Sequence, residues 1–153
     1  MEFDRNGNLQ PYKVLEIDLQ TFEEIFITNF PLSTTRKRLF ENYLTYLKTL
    51  QDSVGGGFYQ WIDGSFVTNK LNPKDIDFVT FLDFGVYREH EKQVSDLLKL
   101  RYNFQNGTDG YFVETFPDTH KGFNNYQMDR VEWLHTFGTS RNHQNKGVIQ
   151  LNF

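Results

Sequence analysis

The feature that most constrains this chain is the apolar run from Asp75 to Leu82, which begins with two aspartates, Asp75 and Asp77. Near-continuous apolarity over such a length is typical of a central strand that is covered on both faces. Side chains alternate along a strand, so both carboxylates are expected on one face. Buried carboxylates are costly unless they are paired, hydrogen-bonded or bound to a cation. The run therefore predicts a central strand and a polar site at its start.

The rest of the chain alternates between segments with the apolar spacing of a helix and segments with the spacing of a strand. Residues 1–17 are expected to form an extended arm, because "DRNGN" is turn sequence and Pro11 blocks a helix. The predicted helices cover 19–29, 33–50, 87–100 and 126–137, and the predicted strands cover 58–62, 75–82, 111–116 and 147–153. This order predicts one α/β or α+β domain over residues 1–153, with a mixed sheet of about four to five strands flanked by helices.

Local patterns give three further expectations about the helices. Thr21 and Glu24 have the spacing of a capping box at the start of the first helix. The second helix is expected to expose its basic residues: Arg36, Lys37, Arg38 and Lys48. The last helix is expected to turn an apolar stripe inward: Met128, Val131, Leu134 and Phe137.

Composition excludes several classes of protein. The chain has 153 residues, a formal net charge of −4 and no cysteine, so disulfide frameworks and thiolate zinc sites are excluded. An acidic chain is a poor candidate for general nucleic-acid coating. It has no apolar run of the roughly 20 residues that span a bilayer and no apolar segment like a secretory leader. We expect a cytoplasmic protein that does not bind membranes.

The pair Gly64-Ser65 ends the strand that precedes the two aspartates. A glycine lets backbone N–H groups approach a phosphate closely, and the serine adds a hydroxyl. Two ionised carboxylates on one face repel each other, and Mg²⁺ between carboxylates and substrate phosphates removes that repulsion. Each half of this pattern is common by itself. Their combination, separated by the nine residues Phe66–Lys74, predicts a site for a phosphorylated ligand.

This combination resembles the signature of the nucleotidyltransferase superfamily typified by DNA polymerase β. The chain looks like a minimal member, similar to stand-alone nucleotidyltransferases of toxin–antitoxin and defence loci, and the motif covers residues 58–116. The ends of the chain, "MEFDRNGNLQPY" and "DRVEWLHTF…KGVIQLNF", also resemble an uncharacterised bacterial family known as DUF6932. The resemblance implies a nucleotidyltransferase-like sheet and transfer of a nucleoside monophosphate from an NTP to a hydroxyl.

The resemblance also implies roles for individual residues. Gly64 and Ser65 would cradle the β and γ phosphates, and Asp75 and Asp77 would hold two Mg²⁺ (or Mn²⁺) ions that position the triphosphate and lower the pKa of the attacking hydroxyl. A third carboxylate on a later strand would bind the catalytic metal. Asp109 is the first candidate for that role, and Glu114 is the alternative.

Other polar residues are secondary candidates. Lys70 and Lys74 lie in the spacer, within reach of a triphosphate, and Arg141 and Lys146 precede the last strand. Asp63 precedes the Gly-Ser pair, but strand alternation does not require it to face the metals. Three histidines lie in the C-terminal third without the spacing of a local zinc site: His120, His135 and His143.

Three functions remain open from the sequence. The first is an NTP-dependent enzyme whose acceptor is a protein, such as a cognate toxin or antitoxin, more readily than RNA. The second is a non-catalytic nucleotide-binding or protein-interaction module on the same scaffold. The third is a phosphohydrolase that uses the same carboxylates.

Overall fold

A five-stranded mixed sheet forms the centre of the computed structural model, which describes residues 1–153. Its strand order is β3-β7-β4-β5-β6. The central strand β4 is antiparallel to both β5 and β7, whereas β5 and β6 are parallel. The strands of this sheet are β3 (Val14–Glu16), β4 (Tyr59–Asp63), β5 (Ile76–Asp83), β6 (Thr108–Thr115) and β7 (Val148–Asn152). The predicted α+β class with a mixed sheet is confirmed.

The remaining strands belong to the N-terminal arm, where β1 (Glu2–Phe3) and β2 (Leu9–Gln10) form a small antiparallel sheet. The arm then continues as β3, which pairs with β7 as a parallel edge strand. The helices are α1 (Leu19–Glu23), α2 (Arg36–Val54), α3 (Phe84–Glu89), α4 (Glu91–Lys99) and α5 (Phe123–Phe137). A π-helical segment, Glu24–Thr28, extends α1, and a 3₁₀ turn, Leu100–Tyr102, follows α4.

The side chains of β5 alternate between two apolar clusters, one on each face of the sheet. Ile76 and Phe78 pack into the larger cluster, which contains α1 and α2 side chains. Val79 and Phe81 pack into a smaller cluster under α5. Asp77 has the same parity as Val79 and Phe81, so it projects from the α5 face of the sheet. The carboxylates therefore lie on the less thickly covered side.

Two local expectations for the helices are wrong. Asp18, and not a Thr21–Glu24 box, caps α1, because its Oδ1 accepts a hydrogen bond from the Thr21 N–H at 2.6 Å. The single helix expected over 87–100 is two helices that meet at His90. The first of them begins at Phe84, since the Asp83 carboxylate caps it by accepting from the N–H groups of Gly85 and Val86.

The inward face of α5 also differs from the prediction. Met128, Val131 and Leu134 are 63%, 68% and 41% exposed, so of the predicted stripe only Phe137 is buried. The side chains that face the sheet are aromatic or cationic and follow a 4-3-4 spacing: Tyr126, Arg130, Trp133 and Phe137. The sequence contains two stripes with helical spacing, and the flat surface of Trp61 and Phe81 selects the aromatic one.

No helix in the structure is long and apolar enough to cross a bilayer.

Candidate active site

The turn after β4 brings the backbone against a carboxylate. Gly64 has a φ of +74°, a left-handed conformation that glycine adopts without steric cost. A Cβ on Gly64 would lie 1.6 Å from Oδ2 of Asp77 and 2.6 Å from its Cγ. Position 64 therefore requires glycine for two reasons: the left-handed turn, and the space that the Asp77 carboxylate occupies.

The spacer between Ser65 and Asp75 is held by a buried arginine. The Arg36 guanidinium donates to the carbonyl oxygens of Phe26 and Phe66 through Nη1, at 2.9 and 2.7 Å. Through Nη2 it donates to those of Thr68 and Lys70, at 2.8 and 2.7 Å. Three of these four acceptors lie in the spacer, so Arg36 defines its path.

The prediction that Arg36 is solvated is therefore wrong. Its side chain is fully buried, because backbone carbonyls replace the water that a guanidinium normally binds. Burial lowers the pKa of Arg36 to about 10, so it remains charged at neutral pH. The other three basic residues of that helix are exposed, as predicted: Lys37, Arg38 and Lys48.

Strand register places three aspartates in one row across the sheet. Asp63 on β4 lies directly opposite Asp77 on β5, and Asp77 lies directly opposite Asp109 on β6. Residues opposite each other on neighbouring strands share a face, and the strands are about 4.8 Å apart. Asp75, one residue before β5, continues the same parity. Four carboxylates are thus presented at one end of three adjacent strands.

A pocket of about 560 Å³ opens above this end of the sheet. Neither candidate for the third carboxylate, Asp109 or Glu114, lines it, but its wall includes the other residues predicted as the main site: Gly64, Ser65, Lys74, Asp75, Asp77 and Arg141. The spacer lysine Lys70 also lines it, and the far side is formed by Thr136–Asn142, the end of α5 and the segment after it. The residues of the sequence motif and Arg141 therefore line one cavity, although they are far apart in the sequence.

The two candidates for a third carboxylate have different positions. Asp109 lies in the row, but its Oδ1 is 3.4 Å from Nε of Arg101 and it does not line the pocket. Glu114 pairs in register with Leu82, five residues further along the strand, or about 16 Å away. Its Oε1 lies 3.4 Å from Nε of Arg88. Of the two, Asp109 is the one near Asp77, and its role stays a prediction.

Asp63 and Lys146 form a buried ion pair in the pocket wall. Lys146 Nζ lies 2.6 Å from Oδ2 of Asp63, and the two side chains are 7% and 5% exposed. Lys146 also donates to the Gly64 carbonyl at 3.4 Å. The second oxygen of Asp63, Oδ1, is buried without a hydrogen-bond partner. The orientation of Asp63 depends on the register of β4 against β5, so the local sequence does not reveal that this residue belongs to the site.

Burial raises the pKa values of the three aspartates in the row, Asp63, Asp77 and Asp109. The pKa of Asp77 is raised to about 6, first by burial and then by the negative charges of Asp75 and Asp109, while Lys146 and Arg141 act in the opposite direction. Burial raises the pKa of Asp63 to about 7 against the lowering effect of Lys146. The pKa of Asp109 is raised by burial, against Arg101. The row holds more negative charge than its cations compensate.

The histidines do not contribute to this pocket. His120 packs against the rings of Phe84 and Phe116, which also stack on each other. It lines a separate hollow of about 670 Å³, beside Glu114 and near the other end of β6. His135 and His143 are exposed.

The donor set decides whether Mg²⁺ fits the pocket. No group of three or more His, Asp or Glu side chains is arranged to hold a metal ion by itself. Asp75 and Asp77 fit the mode in which Mg²⁺ binds through one or two carboxylates and the phosphates of a substrate. The raised pKa of Asp77 supports this fit, because a cation beside it would compensate the excess negative charge.

Comparison with known proteins gives one match. The model of the family DUF6932, described as a family of unknown function, matches residues 1–152. No curated protein and no solved structure matches the chain.

Proposed function

We propose that this chain, which belongs to the DUF6932 family, is a nucleotidyltransferase that moves a nucleoside monophosphate from an NTP to a hydroxyl. The observation that carries the proposal is the contact between Gly64 and the Asp77 carboxylate. It joins the two halves of the motif, the glycine turn and the Asp-x-Asp strand, in one pocket.

The pocket supplies groups suited to a triphosphate. The backbone and hydroxyl at Gly64-Ser65 would bind the β and γ phosphates, and Lys74 and Arg141 would add positive charge from the spacer and the C-terminal segment. Asp75 and Asp77 would hold Mg²⁺. When bound there, Mg²⁺ neutralises phosphate charge and polarises the phosphoryl oxygens.

The reaction balances without a further cofactor. The acceptor oxygen forms a bond to the α-phosphorus, the bond from that phosphorus to the leaving oxygen breaks, and pyrophosphate departs. The proton of the acceptor hydroxyl passes to a carboxylate of the row and then to solvent. The net charge of −4 favours a protein acceptor over RNA. A cognate toxin or antitoxin, or a component of phage defence, is the acceptor class we propose.

A second candidate function is nucleotide binding without turnover. It is favoured by one observation: Asp109, which the resemblance makes the third metal ligand, is ion-paired with Arg101 and lies outside the pocket lining. In that case the protein would act as a toxin or antitoxin through contacts that do not require Asp77.

Each of the four NTPs, labelled at the α-phosphate, is to be incubated with the purified chain, Mg²⁺ and a cell lysate. We expect transfer of label to a macromolecule, and its loss in Asp75→Asn and Asp77→Asn. Asp52→Asn, an exposed change on α2, is the matched control. Label transfer that survives both pocket variants would refute the proposal. Binding without transfer favours the second candidate, and free monophosphate without transfer indicates a phosphohydrolase.

A further inference from the structure

The Asp63–Lys146 pair contains more hydrogen-bonding capacity than the protein uses. Asp63 Oδ1 is buried and has no partner. The Lys146 ammonium has three donors, of which the structure engages two, with Asp63 Oδ2 and the Gly64 carbonyl. Both residues line the same pocket as Asp75 and Asp77. An acceptor and a donor therefore lie side by side in the pocket wall, each lacking a partner.

This arrangement is costly without a ligand. A buried carboxylate oxygen without a hydrogen bond destabilises a fold, because the water that it loses on burial is not replaced. Nothing in the strand requires a carboxylate at position 63, since β4 and β5 pair there through their backbones. Directly opposite Asp77, a second negative charge is also unfavourable in itself. Oδ1 is buried without a hydrogen bond and belongs to a residue of the pocket lining, so it has the features of a ligand-binding atom.

The chemistry of the two groups selects the ligand. An anion such as phosphate is matched by the ammonium but repelled by the carboxylate oxygen beside it. A second ammonium would be matched by Asp63 and repelled by Lys146. A neutral hydroxyl suits both, because its oxygen accepts from Lys146 while its hydrogen is donated to Oδ1 of Asp63. We propose that Asp63 and Lys146 form a hydroxyl-binding site in the wall of the pocket.

This inference rests on the proposed function, which supplies two hydroxyls. One belongs to the ribose of the NTP, and the other is the hydroxyl that receives the monophosphate. A site built to hydrogen-bond a hydroxyl rejects an analogue that lacks it, because the buried partners are left unpaired. The two sources are therefore separable by analogue binding and by turnover.

Binding of ATP, 2′-deoxy-ATP and 3′-deoxy-ATP in Mg²⁺ is to be measured by calorimetry, together with label transfer at saturating ATP. If the site binds a ribose hydroxyl, the wild type will bind ATP more tightly than one deoxy analogue by about tenfold or more. Asp63→Asn will then bring the ratio of those two affinities close to one. For the acceptor hydroxyl, Asp63→Asn lowers the transfer rate by about tenfold or more and leaves ATP affinity unchanged. Either result supports the site.

A double variant guards against unfolding, because Asp63→Asn leaves Lys146 buried without its counterion. Asp63→Asn with Lys146→Met removes both charges, and circular dichroism and thermal melting establish that it folds. Equal weakening of all three nucleotides, or no change in analogue preference and transfer rate, would overturn the hydroxyl site. In a wild type that labels its acceptor through Asp77, such a result leaves the proposed function intact. A wild type that binds no nucleotide removes both.

Discussion

Gly64→Ala tests the contact on which the site depends. The new Cβ would lie 1.6 Å from Asp77 Oδ2, so the carboxylate must rotate away from the turn. A residue other than glycine in the left-handed region costs about 1–2 kcal/mol, and an unfavourable side-chain rotamer costs about 0.5–1.5 kcal/mol. We expect the free energy of unfolding to fall by about 2–3 kcal/mol.

Gly57→Ala is the matched control. Gly57, just before the other end of β4, also has a positive φ, of +85°, but no atom lies within 4 Å of the Cβ that it would gain. It should therefore lose only the backbone contribution, about 1–2 kcal/mol. The difference between the two variants is the cost of displacing Asp77, about 1 kcal/mol, or about 2–4 °C in Tm for a chain of this size.

Urea denaturation measures the two free energies, and thermal melting with and without Mg²⁺ and ATP measures ligand binding. Gly57→Ala should keep the ligand-dependent rise in Tm, and Gly64→Ala should lose it because Asp77 no longer faces the pocket. The stability difference tests the geometry, and the ligand response tests the function. Equal destabilisation by both changes, with the ligand response preserved in both, would refute the reasoning.

Four other predictions concern the same fold. Arg36→Lys should lower the free energy of unfolding by about 3 kcal/mol or more in urea denaturation, because an ammonium cannot satisfy four carbonyls at once; a loss below about 1 kcal/mol would contradict this role. The pKa of Asp77 is raised from 3.8 to about 6 in the folded protein, so its protonation adds stability that is fully present below pH 3.8 and is lost as pH rises through about 6. Asp77→Asn should therefore be more stable than the wild type by about 2–3 kcal/mol at pH 8. Thermal melts at each pH should show this difference vanishing near pH 4. Val131→Gln should change stability by less than about 0.5 kcal/mol, whereas Phe137→Ala should cost about 3–5 kcal/mol, and the reverse order in urea denaturation would mean that α5 faces the other way. Mg²⁺ with ATP at about 100 times its Kd should stabilise the wild type by about 2.7 kcal/mol, a rise in Tm of several degrees that Asp77→Asn should not show in a thermal melt.

Features with a local cause were predictable from the sequence. The alternation along β5 predicted that Asp75 and Asp77 share a face, and the structure puts both in one pocket. Gly64-Ser65 predicted a turn where backbone comes close to another group, and Gly64 contacts the Asp77 carboxylate. These inferences needed only the two-residue period of a strand and the conformational freedom of glycine.

Features with a long-range cause were not predictable. Arg36 is buried because carbonyls from residues 26 to 70 converge on it, and no pattern within α2 signals that convergence. The face of α5 depends on which stripe fits the aromatic surface of the sheet. Asp63 became a site residue only through the register of β4 against β5. In each case the deciding partner lies outside the segment in which the pattern was found.

The arrangement of charge in the acidic row explains why its centre is the place for a ligand cation. Asp63 is matched by Lys146, and Asp109 is matched by Arg101. Asp77, between them, makes no ion pair of its own. Burial, and then the negative charges of Asp75 and Asp109, raise its pKa to about 6. Like charges on adjacent strands destabilise a sheet, and a neutral side chain at position 77 would remove that cost. A cation that enters with a phosphorylated ligand would offset the repulsion at Asp77, but only in the bound state. The uncompensated negative charge at Asp77 therefore destabilises the ligand-free protein and would strengthen binding of the cation and its ligand.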